Sequence, residues 1–500
     1  MAPTTLAQLF AAGRRRAGDG GTLLETPAGR RLTYGEAHAR AGAAAAALRD
    51  AGVGPGDRVA LAVEKSPEAM VVYLAAVTTG AVVLPLNPAY SDDEVGYILS
   101  DAEPAVVIAD PGRRRPPATA APWFTLDGEG AGTWSEAQDG AEGVEPGALR
   151  AGGGEPGVPQ PDDPAVLLYT SGTTGRPKGA VLSQWNLAAN VEALRQVWGF
   201  VPGDRLLHAL PIYHAHGLLV GVNLTLATGS SMWWLPRFQA DAVVGGLAHA
   251  TVMMGVPTYY RRLLDHPGLD REACAGVRLF VSGSAPLPPR LFAEWERRTG
   301  HRIVERYGMT ETVMIASNPL DGERRPGTVG LPLPGVEVAV RHGEVWVRGP
   351  SVLRGYWKRA PAVDGDGWFA TGDLGDVDGD GYLHLRGRSK DLVITGGLNV
   401  YPKEVEEVLD AVPGVAESAV VGVPDDDLGE AVTAVVVAEA GARLDADAVR
   451  QAARSRLAGY KLPRSVVIVD SLPRNAMGKV EKEKIRRRLT SPEHTDGPPS

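Results

Sequence analysis

The stretch YTSGTTGRPKG, residues 169–179, reads as a strand that opens into a loop suited to phosphate. Its lead-in, AVLLYT at 165–170, is a short apolar run of the buried-strand kind, and only small, hydroxylated, glycine, arginine or proline residues separate it from Lys178. Glycines let the backbone approach an anion closely, Ser171, Thr173 and Thr174 bring hydroxyls, and Lys178 brings a point charge for phosphate oxygens. It is not a Walker A loop: the G-x-x-x-x-G-K-[ST] spacing fails, and Pro177 precedes the lysine. A plain surface turn would explain the glycines but not the hydroxyls beside a lysine.

Outward from this loop the pattern is α/β. Residues 32–110 alternate a helix (35–51), a strand (58–62), a helix (67–79), a strand (81–86), a further helix and a strand (105–109), which implies a largely parallel, doubly wound sheet. Residues 111–164, rich in glycine, proline and acids, read mostly as a surface excursion. Beyond the loop, strands are expected at 205–210, 231–235, 250–254, 277–281 and 302–305. Four polar clusters follow strands of this series: LPIYHAHG (210–217), GVPTYYRR (255–262), SGSAPLP (282–288) and ERYGMTET (305–312). Ligands of open parallel sheets sit beyond the carboxyl ends of strands, so these clusters are expected to converge on one crevice. A smaller α+β unit closes the chain. Its first helix carries Val405, Val408, Leu409 and Val412 between Pro402 and Pro413, strands follow at 418–423, 431–437 and 465–469, and Lys479 lies on a turn beside a glycine. The expected division is a large domain over 1–388, a small lid domain over 389–490 and a disordered polar tail over 491–500.

The 500 residues are 44% hydrophobic and 22% charged, an ordinary globular composition long enough for more than one domain. A net charge of -9 argues against nucleic acid or an anionic membrane as the main partner, since both select a basic footprint. The single cysteine, Cys274, excludes an intramolecular disulfide and a cysteine metal cluster and fits a reducing, cytoplasmic setting. The apolar window at 69–86 reaches membrane-span length, yet Gly80, two threonines and a proline divide it into helix, turn and strand.

The loop at 169–179, YGMTE at 307–311, TGD at 371–373, GRSKD at 387–391 and PRNAMGK ending at Lys479 resemble, in order, the motifs of the adenylate-forming superfamily of acyl-CoA synthetases, luciferases and peptide-synthetase adenylation domains. LPIYHAHGL, GVPTYYRRLL, VSGSAPL, ERYGMTET and DLVITGGLNVYPKEVE further resemble malonyl-CoA synthetases within it. The resemblance implies two half-reactions, in which a carboxylate attacks the α-phosphate of ATP and a thiol, that of CoA, then displaces AMP. It implies nucleotide contacts from Thr170, Ser171, Gly172, Thr173, Thr174, Lys178, Ser284, Ala285, Pro286, Glu305, Tyr307, Gly308, Met309, Thr310, Asp373 and Arg388. Tyr307 would stack on adenine, Asp373 would accept the ribose hydroxyls, and Glu311, with Thr174, would hold Mg²⁺. Lys479 would stabilise charge during adenylation and then swing away about a hinge at Lys390, while Gly396 and Gly397 would line the CoA channel.

Two groups have a bland reading as well. On an extended segment His214 and His216 share a face, so a metal pair is conceivable, although no third ligand accompanies them. The resemblance instead sets His214 against the carboxylate and α-phosphate, and His216, with Ser282 and Met309, in the acyl pocket. By pattern Arg262 flanks a helix whose core positions are Tyr260, Leu263 and Leu264, the place of a solvated arginine. By resemblance it grips the second carboxylate of a small dicarboxylic acid, a task that suits a guanidinium fork. Transfer to another acceptor, such as a carrier-protein thiol or an amine, is the alternative reading.

Overall fold

The computed structural model describes all residues except 1, 118, 142–157, 171–176, 455, 476–477 and 491–500, so Ser171, Gly172, Thr173, Thr174 and the expected tail lie outside the described residues. The chain forms two compact units, one of residues 1–338 and 347–369, the other of residues 339–346 and 370–500.

The first unit holds two sheets. In the six-stranded sheet, Arg58–Ala62 lies centrally with Val82–Pro85 and Val106–Ala109 parallel on its two sides. The helix Pro67–Thr79 shows why this region folds as it does. Ser66 Oγ accepts from the Ala69 N–H at 3.1 Å, Pro67 begins the first turn, and Gly80 ends the last in the left-handed region at φ 80°. The helix is apolar nearly all round and buried from Pro67 to Val77, so the apolar window at 69–86 is spent on a core helix and strand. Among the described residues no helix is long and apolar enough to cross a membrane. Two described stretches of 111–164 belong to the fold where a surface excursion was expected: Trp123–Thr125 extends the sheet beside Val106–Ala109, and Trp134 of the helix Thr133–Gly140 is fully buried.

The nine-stranded sheet carries Arg205–His208, Val252–Gly255, Leu279–Ser282 and Val304–Tyr307 as adjacent parallel strands, with Ser231–Trp234 on the other side of the first. Parallel strands buried on both faces read as continuous apolar runs, as VMMG and LFVS do. Their carboxyl ends therefore deliver the four polar clusters to one edge of the sheet. Under it, Trp295 meets Tyr260 edge-on at 4.9 Å and Phe280 at 5.1 Å, pairs worth about 0.5–1.5 kcal/mol each beyond their buried area. Tyr260 also donates its hydroxyl to Val281 O at 2.7 Å, which ties the helix Pro257–Leu264 to the strand that ends at Ser282.

The second unit has an antiparallel ladder of Phe369–Val377 with Leu383–Arg388 and a sheet in which Gly429–Ala438 lies between Val415–Asp425 and the parallel Ser465–Val469. The helix Pro402–Leu409 buries Val405, Val408 and Leu409 in its core, at the spacing seen in the sequence.

Candidate active site

Lys178 opens a strand. Lys178–Ser183 runs antiparallel to Pro164–Thr170 with Thr170 opposite Lys178, so the loop joins two strands of a hairpin instead of leading into a helix. The Lys178 Nζ lies 5.7 Å from the Tyr356 ring centre, and the Tyr356 hydroxyl donates to Glu311 Oε1 at 3.0 Å. Glu311 is buried, and its backbone carbonyl accepts from Leu353 N–H at 2.8 Å. The lysine, the tyrosine and the acid thus form one cluster beside the loop. A buried carboxylate suits a hard cation that takes most of its oxygens from phosphates and water. Among the described residues no group of three or more His, Cys, Asp or Glu could hold a metal by itself.

The segment from Ser282 to Pro286 crosses the strand ends in a strained turn. Ser284 has φ 69°, unusual for a residue with a Cβ, and its Oγ lies 3.4 Å from His216 Nδ1. Glu305 Oε1 accepts the Leu287 N–H at 2.9 Å and fixes the far end of the turn. Tyr307 is buried at the end of its strand, and Met309 and Thr310 follow Gly308, where any Cβ would lie 1.9 Å from Val313 O. Val313, Met314, Ile315 and Ala316 are all buried.

His214 and His216 do not share an extended face. His216 opens a π-helical turn, His216–Val222, a departure from α geometry often found at functional sites. Burial pushes the His214 imidazole down to about 4 and holds His216 well below the ordinary range, helped there by the charges of Arg306 and His208. Both rings are therefore neutral at neutral pH, and the Nε2 atom of each is buried with no hydrogen-bond partner among the described residues.

Arg306 is the residue that the sequence reading passed over. It lies between Glu305 and Tyr307, is 3% exposed, and has Nε and Nη2 buried with no partner among the described residues. Burial pushes its guanidinium down to about 9, with Tyr260 acting the other way, so it stays cationic at neutral pH. Gly283 makes room for it, since a Cβ there would fall 2.4 Å from its Cζ. The expected strand stopped at residue 305; the structure runs it to Tyr307 with all four residues buried, and a charge inside such a strand needs a partner. Arg262, by contrast, is exposed on the helix Pro257–Leu264 and has no hydrogen bond or ion pair among the described residues.

In the second unit Asp373 is buried opposite Arg388 on the neighbouring strand, with Nε and Oδ1 2.7 Å apart. Lys390 is exposed on the single turn Ser389–Asp391, and Gly396 and Gly397 take φ 56° and 78° in succession, which suits glycine. Lost solvation first, and then Arg388, hold the Lys479 amine below the ordinary lysine range, against the pull of Asp373 and Asp391.

Residues 13–357 match the AMP-binding enzyme family and residues 404–479 match the AMP-binding enzyme C-terminal domain, and the chain belongs to this family of adenylate-forming enzymes. It is similar to ATP-bound MatB from Rhodopseudomonas palustris, with 47% identity, 97% of this chain and 99% of that one covered, and a TM-score of 0.91. It is 40% identical to a malonate–CoA ligase of Arabidopsis thaliana over 66% of this chain and 62% of that protein. It is 36% identical to an indoleacetate–CoA ligase of Aromatoleum aromaticum over 92% of this chain and 93% of that protein.

Proposed function

We propose that this chain is an AMP-forming acid–thiol ligase that joins malonate or methylmalonate to CoA through an acyl-adenylate. The observation that carries the choice of acid is the buried Arg306, whose Nε and Nη2 have no partner among the described residues, beside Gly283 and His216. An unpaired buried charge is unfavourable in the free protein, and a second carboxylate is the substrate group that would offset it. An aryl or fatty acid would leave the guanidinium unpaired, so the same site disfavours the acids of many relatives. Arg262 is the alternative grip, reachable from the helix that Tyr260 anchors.

In the first half-reaction a carboxylate oxygen bonds to the α-phosphorus as the bond to pyrophosphate breaks. A carboxylate is already a nucleophile, so the enzyme supplies positioning and charge in place of a strong base. Lys178 and the hydroxyl loop hold the phosphates, neutral His214 donates to the reacting oxygens, and Tyr307 and the Ser284–Ala285–Pro286 backbone take the adenine. Bound on Glu311, Mg²⁺ would neutralise phosphate charge. Asp373 takes the ribose hydroxyls and Arg388 orients it, while Lys479 adds charge at the reacting centre. In the second half-reaction the thiol sulfur bonds to the acyl carbon, the carbon–oxygen bond to AMP breaks, and the thiol proton passes to solvent. Gly396 and Gly397 give the pantetheine arm a close approach.

The test is pyrophosphate release with malonate, methylmalonate, succinate, acetate and indoleacetate, with and without CoA, on the wild type and on Arg306→Met and Arg262→Met. Two lost charge-assisted hydrogen bonds, about 1.5–3 kcal/mol each, predict a loss of kcat/KM on malonate of roughly 10² or more for Arg306→Met, with acetate nearly unchanged. The same variant should melt higher, because it removes a buried charge. Selective loss in Arg262→Met alone would move the second carboxylate to the helix, and equal losses on malonate and acetate in both would overturn the dicarboxylate assignment.

A further inference from the structure

Lys65 comes from the loop after Arg58–Ala62 in the six-stranded sheet, yet its partners lie in, or directly after, strands of the nine-stranded sheet. The side chain is 4% exposed, and its Nζ reaches His208 O at 2.7 Å, Leu235 O at 2.6 Å and His208 Nδ1 at 2.8 Å. The Trp234 ring centre lies 4.2 Å from the same nitrogen, and His208 stacks on that ring at 5.0 Å. No carboxylate pairs with Lys65 among the described residues. A lysine so placed is expensive to bury, and methionine would fill the same volume without that penalty.

His208 shows what the lysine achieves. Its Nε2 lies 2.9 Å from Gly217 O, the residue after His216. A carbonyl oxygen only accepts, so Nε2 must carry the proton and Nδ1 must present its lone pair to Lys65. The third acceptor of the lysine is then real, and all three N–H bonds of an ammonium are used. Burial pushes the amine toward its neutral form; two carbonyls, a ring nitrogen and an aromatic face oppose that push. The Gly217 end of this relay is equally constrained. A Cβ on Gly217 would lie 1.9 Å from Pro211 O, and one on Gly221 would lie 3.0 Å from the His208 ring. The π-helical turn His216–Val222 is thus seated against the His208 ring itself.

We propose that Lys65 and His208 are positioning residues that set one tautomer of His208 and, through its hydrogen bond to Gly217 O, fix where His216 stands in the acyl crevice. Neither touches substrate. Lys65 also carries this alignment from one sheet to the other, so the acyl pocket depends on a residue of the sheet that continues into the phosphate loop. The effect is specific to the acid: Lys178, Glu311 and Tyr356 make no contact with the relay among the bonds that hold it.

The inference rests on the proposed ligase reading for the identity of the acid and for the place of His216 in the acyl crevice, so the variants are assayed with whichever acid of the panel the wild type activates best. Lys65→Met and His208→Leu should each raise the KM for that acid about tenfold or more while the KM for ATP and the Kd for ATP measured calorimetrically stay within about twofold. His208→Gln keeps an acceptor for Lys65 and a donor for Gly217 O and should restore most of the loss. The double variant Lys65→Met/His208→Leu should be no worse than the poorer single one, as members of one relay are not additive. A purely structural pair would instead lower ATP affinity and acid affinity together with melting temperature, gain nothing from glutamine and add in the double variant; that pattern overturns the proposal. If no acid in the panel is activated by the wild type, the ligase reading fails first, and the relay remains testable through His216 Nε2 and its ¹⁵N shift, which Lys65→Met should move and a surface variant should not.

Discussion

Asp410 closes the helix Pro402–Leu409 as its cap, and its carboxyl is held inside the second unit, where Ser418 Oγ donates to Oδ1 at 2.7 Å. Burial first, then the charges of Glu406 and Glu417, push its pKa up to about 7 from an ordinary 3.8. The sign follows from proton binding. Between these two values the folded state holds a proton that the unfolded chain has released, so stability falls as pH rises through this window and the loss is complete above about 7. Asp410→Asn keeps an acceptor for Ser418 and removes the titration. It should raise stability at pH 8 by roughly 1–4 kcal/mol and change little near pH 4, read as the difference in melting temperature of the full chain at the two pH values. An equal gain at both would mean that charge is not the cause. Residues of this kind mark the limit of legibility. Glu305, Tyr307 and Asp373 could be named because their places in the motifs can be matched, whereas Arg306, inside one of those motifs, carried no such role and Lys65 sits among the same kinds of neighbours as any surface charge. What sets them apart is burial, and burial is decided by strands far away in the chain. Arg306 still left a trace, a charge between two matched residues of ERYGMTET.

Among elements, the helix Asp92–Ala102 has a role that its own sequence does not announce. Tyr97 donates its hydroxyl to Pro177 O at 3.2 Å, and Asp101 Oδ2 accepts from the Tyr169 hydroxyl at 2.5 Å, so one helix grips both stems of the phosphate loop. The carbonyl of Asp101 also accepts from Trp357 Nε1 at 3.0 Å, and Trp357 N–H donates to Gly179 O at 2.7 Å, which closes the clamp from the far side. Stems held on both sides would present Thr170 and Lys178 to a phosphate with less freedom left to lose. Asp101→Ala removes one grip, worth about 1 kcal/mol, and should raise the KM for ATP roughly fivefold with the KM for the acid unchanged. A matching rise in both constants would show a general loosening instead. The elements themselves were largely readable, since helix 67–79 and strands 58–62 and 465–469 follow local periodicity and caps. What local pattern could not supply was partnership: that Lys178 begins a hairpin strand, that Trp123–Thr125 joins a sheet, and that His216 starts a π-helical turn.

At the level of the whole molecule the residues assigned to the proposed reaction are divided between two compact units. Lys178, His214, Arg306 and Glu311 belong to the first, and Asp373, Arg388 and Lys479 to the second. The chemistry of the two half-reactions explains why such a division is useful. Adenylation gathers negative charge at the α-phosphate and needs a cation there; thioester formation expels AMP from a neutral acyl carbon and needs room for a thiol. One fixed lysine cannot serve both needs, whereas a lysine on a separate unit can serve the first and leave the second unobstructed. The turn that carries Lys479 is built to present it: Asn475 Oδ1 accepts the Lys479 N–H at 3.0 Å, Arg474 Nη1 donates to Gly478 O at 2.6 Å, and Arg474 pairs with Glu417. Lys479→Ala should therefore lower pyrophosphate release by roughly 10²–10³, the scale of losing one stabilising donor in a preorganised site. Conversion of synthetic malonyl-adenylate and CoA to malonyl-CoA and AMP should stay within a few-fold of the wild type. The two rates are measured on the same preparation by pyrophosphate-coupled assay and by mass of the thioester. Parallel loss of both would mean that Lys479 serves the fold of the second unit or both steps alike, and the division of charge between the units would then need another explanation.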